Sequence, residues 1–176
     1  MVSLDELDAR PIVKGKAFPP CEFGSTNQIS FNRQGFMVTA DIFTGQPSDK
    51  ILFSGTIDQH IKKMKNIPPC SVTDKGYRSL ANKKLAKKIK HTFFGKSEDV
   101  EDKQQSFCRS ARSATEGFIA VAKNLRGMRK SLYKGIEGDR IWMALVQTAY
   151  NLKKFYALYR DELLGEVTLQ KLGFIA

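Results

Sequence analysis

Apolar and polar residues alternate along Phe36–Phe43, with Phe36, Val38, Ala40 and Ile42 on one face and Met37, Thr39, Asp41 and Phe43 on the other. A period of two predicts a strand. Glu22–Phe31 reads as its partner. Asn32-Arg33-Gln34-Gly35 between them is a turn, with glycine available for a positive φ. Gly45-Gln46-Pro47-Ser48 ends the hairpin, and Ser48 or Asp49 can cap a helix running to about Lys65. Asn66-Ile67-Pro68-Pro69 stops that helix. A short strand is expected at Cys70–Thr73, ending at Asp74, and Gly76 breaks it. Ser79 can cap a basic helix, Leu80–Lys90, with a short strand at His91–Phe94. Gly95–Lys103 reads as a polar loop. Two helices are expected at 104–126 and 137–164. The second carries Ile141, Leu145, Ala149, Leu152, Tyr156 and Tyr159 at helical spacing. Residues 1–20, with Pro11, Pro19 and Pro20, show no period and read as an extended lead-in. The order is mixed α/β.

The chain has 176 residues, 41% of them hydrophobic, which suits one soluble domain or a large piece of one. No apolar run approaches the roughly 20 residues of a membrane span. Met1–Lys16 has no apolar stretch of the signal-peptide kind. Cys21, Cys70 and Cys108 are far apart and read as free thiols of a cytosolic protein. With only His60 and His91 beside them, a zinc site is not expected.

The net charge is +11, and its location changes the picture more than its size. Residues 1–74 hold 8 basic and 8 acidic side chains, and residues 136–176 hold 5 and 5. Residues 75–135 hold 16 basic and 5 acidic, which is the entire excess of 11. A concentrated positive field suits a polyphosphate partner, because each neutralised phosphate releases counterions. A lysine-rich solvated face is the alternative. The aromatics are not arranged as an RNA-stacking platform.

Two carboxylates are placed for chemistry. Asp74 sits at a strand end, where open α/β sheets expose side chains to a crevice. There it is a candidate Mg²⁺ ligand, or simply a residue that starts a turn. Glu116 shares a helix stripe with three bases. At about 100° per residue, Arg112 and Lys123 fall within about 40° on one side of it and Arg109 about 20° on the other. Phe107, Ala111, Ala114, Phe118, Val121, Ala122 and Leu125 form the opposite, apolar face. An ordinary Arg112–Glu116 pair on an exposed helix is the competing reading.

These residues resemble the C-terminal half of insertion-sequence transposases of the DDE class. The resemblance starts at Asp8-Ala9-Arg10-Pro11-Ile12-Val13-Lys14-Gly15-Lys16 and Glu22-Phe23-Gly24. It continues through Gly45-Gln46-Pro47-Ser48-Asp49, where the family usually has Asn instead of Gln46. It then includes Asp74-Lys75-Gly76-Tyr77-Arg78-Ser79, Glu116-Gly117 and Ala149-Tyr150-Asn151-Leu152. The family's motif around its last acid is Tyr, Arg, Glu and Lys. Arg112, Glu116 and Lys123 match it, and Arg109 replaces the aromatic.

The resemblance implies an RNase H-like fold from its second strand onward, with a lead-in at 1–20, the partial catalytic domain at 21–165 and a tail at 166–176. It implies Asp74 and Glu116 as the second and third catalytic acids, holding Mg²⁺ (or Mn²⁺). Arg109, Arg112 and Lys123 would contact DNA. The implied chemistry is in-line phosphoryl transfer during DNA transposition, with no general base needed. The implied partners are transposon-end DNA, an upstream transposase fragment and further copies of the chain, in the cytoplasm at the nucleoid. The family's first Asp lies on a first strand, upstream of the opening block. Asp5 and Asp8 sit in a segment without strand pattern and are not assigned to it. The chain alone is therefore expected to be inactive and marginally stable, and a non-catalytic DNA-binding remnant is the alternative.

Overall fold

The structure is a computed structural model describing residues 8–13, 21–95 and 102–171, with side chains from 106 onward in the third helix and up to 160 in the fourth. Most of the expected polar loop 95–103, Asp5 and the end of the expected tail lie outside the described residues. The elements are β1 (Arg10–Val13), β2 (Cys21–Phe31), β3 (Met37–Thr44), α1 (Asp49–Met64), β4 (Cys70–Thr73), a 3-10 turn (Lys75–Tyr77), α2 (Leu80–Ala86), β5 (His91–Phe94), α3 (Asp102–Leu125) and α4 (Gly135–Lys171). The fold is mixed α/β, as the pattern predicts.

β2 and β3 form the expected antiparallel hairpin, from Ser25 opposite Thr44 to Phe31 opposite Met37. Its turn closes through Gly35 N–H donating to Asn32 O at 2.9 Å, with Gly35 at φ +85°. β1 pairs antiparallel with Cys21–Gly24 alone, so part of the expected lead-in is a strand. β1 and β3 take different residues of β2, and each β2 residue is paired on one side only. β4 and β5 form a separate parallel pair, Cys70 opposite His91 through Thr73 opposite Phe94. No ladder joins the two sheets among the described residues. Among the described residues β2 beyond Gly24, β3, β4 and β5 each leave one edge unpaired.

Ser48 begins α1 by accepting from Lys50 N–H, and Lys65 ends it in a left-handed conformation. Phe53 and Ile57 of α1 meet Ala86, Ile89 and Phe94 in one core. Ser79 caps α2 as expected, accepting from Asn82 N–H at 3.1 Å. The helix stops at Ala86, short of the expected Lys90. There Ile89 N–H reaches back to Ala86 O at 2.9 Å, a tighter turn that puts Ile89 in that core. A second core joins Met37 and Ile42 to Ala122, Met128, Met143, Val146 and Tyr150.

Both long helices turn differently from their patterns. On α4 the expected stripe is the outer one: Ile141, Leu145, Leu152, Tyr156 and Tyr159 are exposed. The core side is the opposite face, Met143, Val146 and Tyr150. Hydrogen bonding decides this orientation. Asn151 Oδ1 accepts from Met37 N–H at 2.8 Å and its Nδ2 donates to Met37 O at 2.9 Å. Gln147 Nε2 donates to the carbonyls of Met37 and Val38. Val38 is the extra residue where the register slips, so its carbonyl needs a donor from outside the ladder.

α3 is rotated by roughly a quarter-turn from its expected apolar face. Cys108 and Ala122 are its buried residues, with Ala111, Arg112, Thr115, Phe118 and Ile119 half-buried. Phe107, Val121 and Leu125 remain exposed. Small side chains on the inner face permit close approach to β4, and the rotation brings Arg112 to Asp74.

Candidate active site

Asp74 directly follows β4. Its backbone is extended and its side chain makes no capping bond to the 3-10 turn. Only its carbonyl serves the turn, accepting from Tyr77 N–H at 3.2 Å. The carboxylate is directed elsewhere, with Oδ1 lying 2.6 Å from Arg112 Nη2 of α3. Side-chain exposures of 63% for Asp74 and 38% for Arg112 leave the pair well hydrated, so it adds at most about 1 kcal/mol. Arg112 Nε is buried without a hydrogen-bond partner among the described residues.

The segment that carries Asp74 is tied down on several sides. Gly95 N–H donates to Thr73 O at 2.8 Å. Gly95 adopts φ +72°, and a Cβ there would meet the backbone N of Lys75 at 2.9 Å. Glycine alone lets the end of β5 lie this close to the residue after Asp74. Tyr77 donates its hydroxyl to Gln28 Oε1 at 2.7 Å, and Gln28 Nε2 donates to Thr56 at 3.2 Å. Gln28 is buried in β2, so this chain of bonds spans the gap between the two sheets. Asn82 Nδ2 donates to the carbonyls of Tyr77 and Lys50, each at 2.8 Å. Burial raises the Tyr77 phenol above its ordinary range, and the charges of Asp49 and Asp74 add to the rise.

Of the five residues singled out from the sequence, the structure joins Asp74 and Arg112 directly. Glu116 lies one helical turn beyond Arg112 and is exposed. Glu116 and Lys123 form no ion pair with a described residue. Arg109 and Lys123 are exposed on α3. The expected alternative, an Arg112–Glu116 pair, is replaced by the bond to Asp74. Gln28, Tyr77, Asn82 and Gly95 were not singled out as site residues. Only Tyr77 had a signal, its place in the Asp74-Lys75-Gly76-Tyr77 block.

No three His, Cys, Asp or Glu side chains among the described residues are grouped to hold a metal ion. The donors are nonetheless of the kind a hard dication uses. Mg²⁺ takes oxygen ligands, often one or two carboxylates, and keeps several waters. Asp74 offers such a carboxylate at a strand end, unspent on capping. Lys83, Lys84, Lys87, Lys88 and Lys90 in and after α2, and Arg129, Lys130 and Lys134 between α3 and α4, are all exposed.

The site is thus a strand-end carboxylate paired to a basic helix, in a mixed α/β frame whose excess positive charge lies in residues 75–135. A family model described as a transposase DDE domain matches residues 63–156, more than half of the chain. The chain belongs to that family, and its role lies in DNA transposition. The match includes Asp74, Arg109, Arg112, Glu116 and Lys123; β1, β2 and β3 precede it. No curated protein and no solved structure matches the chain. No helix among the described residues is long and apolar enough to cross a membrane.

Proposed function

We propose that this chain contributes two of the three acids of a DDE transposase, Asp74 and Glu116, and binds the DNA that is cut and joined. The observation that carries this reading is the strand-end carboxylate of Asp74, free of capping and held against α3. The unpaired edges of β2 and β4 support an RNase H-like sheet, completed by a strand laid between them that bears the first acid. Asp8 does not supply that acid, because its Oδ2 accepts from Ile136 N–H at 2.9 Å at the start of α4.

Asp74 and Glu116 would hold Mg²⁺ or Mn²⁺, and the ion would activate water or a 3′-hydroxyl and stabilise the leaving oxygen in phosphoryl transfer. The chain's own residues position the reaction. The Gly95 contact and the Tyr77–Gln28 bond fix the backbone on which Asp74 sits. Arg112 is bound to Asp74 with its side chain 38% exposed, so a phosphate oxygen can take over the guanidinium when DNA arrives. Arg109 and Lys123 extend the positive stripe along α3, with the α2 lysines beyond. Residues 21–165 act as the catalytic domain, at the nucleoid, with transposon-end duplex as substrate.

The test is strand cleavage of a transposon-end duplex by protein reconstituted with a fragment supplying the first acid. Asp74→Ala and Glu116→Ala are expected to abolish cleavage while duplex binding stays within a few-fold. Mg²⁺-dependent cleavage by the 176-residue chain alone contradicts the two-acid reading. A second reading is a non-catalytic DNA-binding remnant that uses the basic stretch 75–135. Reconstituted protein that binds DNA with a steep salt dependence but never cuts it would establish that reading.

A further inference from the structure

The connection between α3 and α4 is basic, braced at both ends, and carries an apolar side chain at its apex. Arg126, Arg129, Lys130 and Lys134 lie within residues 126–136, a stretch that holds no acid. At the α3 end, Met128 is buried in the core with Ala122 and Met143. Its N–H donates to Ala122 O at 3.1 Å, and Trp142 Nε1 donates to the neighbouring Gly127 O at 2.9 Å. At the α4 end, the Tyr133 ring stands edge-on to Trp142, with centroids 6.0 Å apart. Tyr133 also lies so close over Gly138 that a Cβ there would meet the Tyr133 Cβ at 2.8 Å.

Between these anchors the backbone folds into a tight turn. Ser131 Oγ donates to Tyr133 O at 2.9 Å, and Tyr133 N–H donates to Ser131 Oγ at 3.1 Å. Leu132 stands between them at 76% exposure and belongs to neither hydrophobic core. Held out in water, it gives this chain's own fold none of the stabilisation that burying a leucine brings. Burial against a partner would supply it.

We propose that Leu132 is a wedge that enters a base step of duplex DNA through the minor groove and kinks it, while Lys130 and Lys134 on either side hold phosphates. Charge selects the partner: four cations without an acid suit a polyphosphate backbone. Apolar side chains of this size partly unstack a base step and bend the duplex when a basic surface carries them in. The braced turn loses little freedom on binding, so little of the contact energy goes into ordering it. The inference rests on the DNA-binding half of the proposed function and not on the assignment of Asp74 and Glu116.

On an intact duplex, the gain from burying Leu132 is offset by the stacking it breaks. A duplex with a central mismatch has less stacking to lose at that step, so there the leucine should show. The experiment measures binding and bending by the full chain, using a duplex of about 25 base pairs labelled at both ends for resonance energy transfer, and the same duplex with a central mismatch. Wild type is expected to bind the mismatched duplex at least about fivefold more tightly, and to bring the ends of both closer together. Leu132→Ala and Leu132→Gln are expected to abolish the preference and the bend while binding the intact duplex within about twofold of wild type, whereas Leu132→Phe keeps both. Lys130→Gln should weaken both duplexes alike and lower the slope of log K against log salt by about 1. Because Leu132 is exposed, far-UV circular dichroism and Tm should not change in its variants. A bound duplex that stays straight, or a preference and bend untouched by Leu132→Ala and Leu132→Gln, would overturn the wedge and leave DNA binding standing. A chain that binds neither duplex would overturn the wedge and the DNA-binding reading together.

Discussion

Gly95→Ala is the perturbation that most sharply separates tight positioning of Asp74 from incidental placement. Two costs combine there. The left-handed backbone penalises a Cβ by about 1–2 kcal/mol. The new methyl also sits 2.9 Å from both the backbone N and the Cβ of Lys75, and overpacking of this kind costs about 1–3 kcal/mol. The sum is about 2–5 kcal/mol, a large share of the roughly 5–15 kcal/mol that holds a typical domain together. Gly45→Ala supplies the control. Gly45 has φ +71°, but a Cβ there would meet nothing closer than Arg10 at 3.7 Å, so it bears the backbone cost alone. Urea unfolding followed by circular dichroism measures both. Gly95→Ala should lose about 1–3 kcal/mol more than Gly45→Ala, equivalent to roughly 2–12 °C in Tm. Equal losses would refute the claim that β5 holds the Asp74 segment by close packing.

Other substitutions test other parts. Tyr77→Phe leaves the buried Gln28 carbonyl without its donor and should cost about 1–3 kcal/mol in the same assay. The phenol is also shifted upward in the folded state, so its contribution is full below the ordinary phenol value of 10.0 and is lost as pH rises through its higher folded value. Tyr77→Phe should therefore flatten the alkaline limb of the stability–pH curve, leaving the parts due to Tyr150, Cys70 and Cys108, which burial also raises. Asn151→Ala strips the partner from Met37 N–H, while Met37 O keeps Gln147, and should cost about 1–3 kcal/mol, against less than about 0.5 kcal/mol for Leu152→Ala on the exposed face. Replacing Lys83, Lys84, Lys87 and Lys88 by Gln should reduce the slope of log K against log salt for duplex binding by up to about 4, read by fluorescence anisotropy.

The hairpin, the Ser48 and Ser79 caps, and the strands flanking Asp74 were legible because period two, turn chemistry and caps are local. The helix orientations were not. α4 carries two apolar stripes, and periodicity ranks them without saying which faces inward. The choice rests on Gln147 and Asn151 meeting the backbone at Met37 and Val38, contacts across more than a hundred residues. α3 hid its inner face because that face is built from Cys108, Ala111 and Ala122, while its bulkier Phe107, Val121 and Leu125 stay outside. In the site, Asp74 and Arg112 were visible as residue types, but their partnership was not. A pair between a strand end and a helix leaves no spacing signature, and the nearer Glu116 competes for the arginine on paper. Gly95 read as the start of a loop, because its role depends on where Lys75 lies in space.

Under the proposed function, Asp74 and Glu116 hold one metal site between them. Mn²⁺ titration of the full chain with a bound DNA duplex, followed by electron paramagnetic resonance, tests it most directly. One class of site is expected, weakened at least about tenfold by Asp74→Asn and equally by Glu116→Gln, with no further loss in the double variant. Mn²⁺ binding that is unchanged by Glu116→Gln, or losses that add independently, would contradict it.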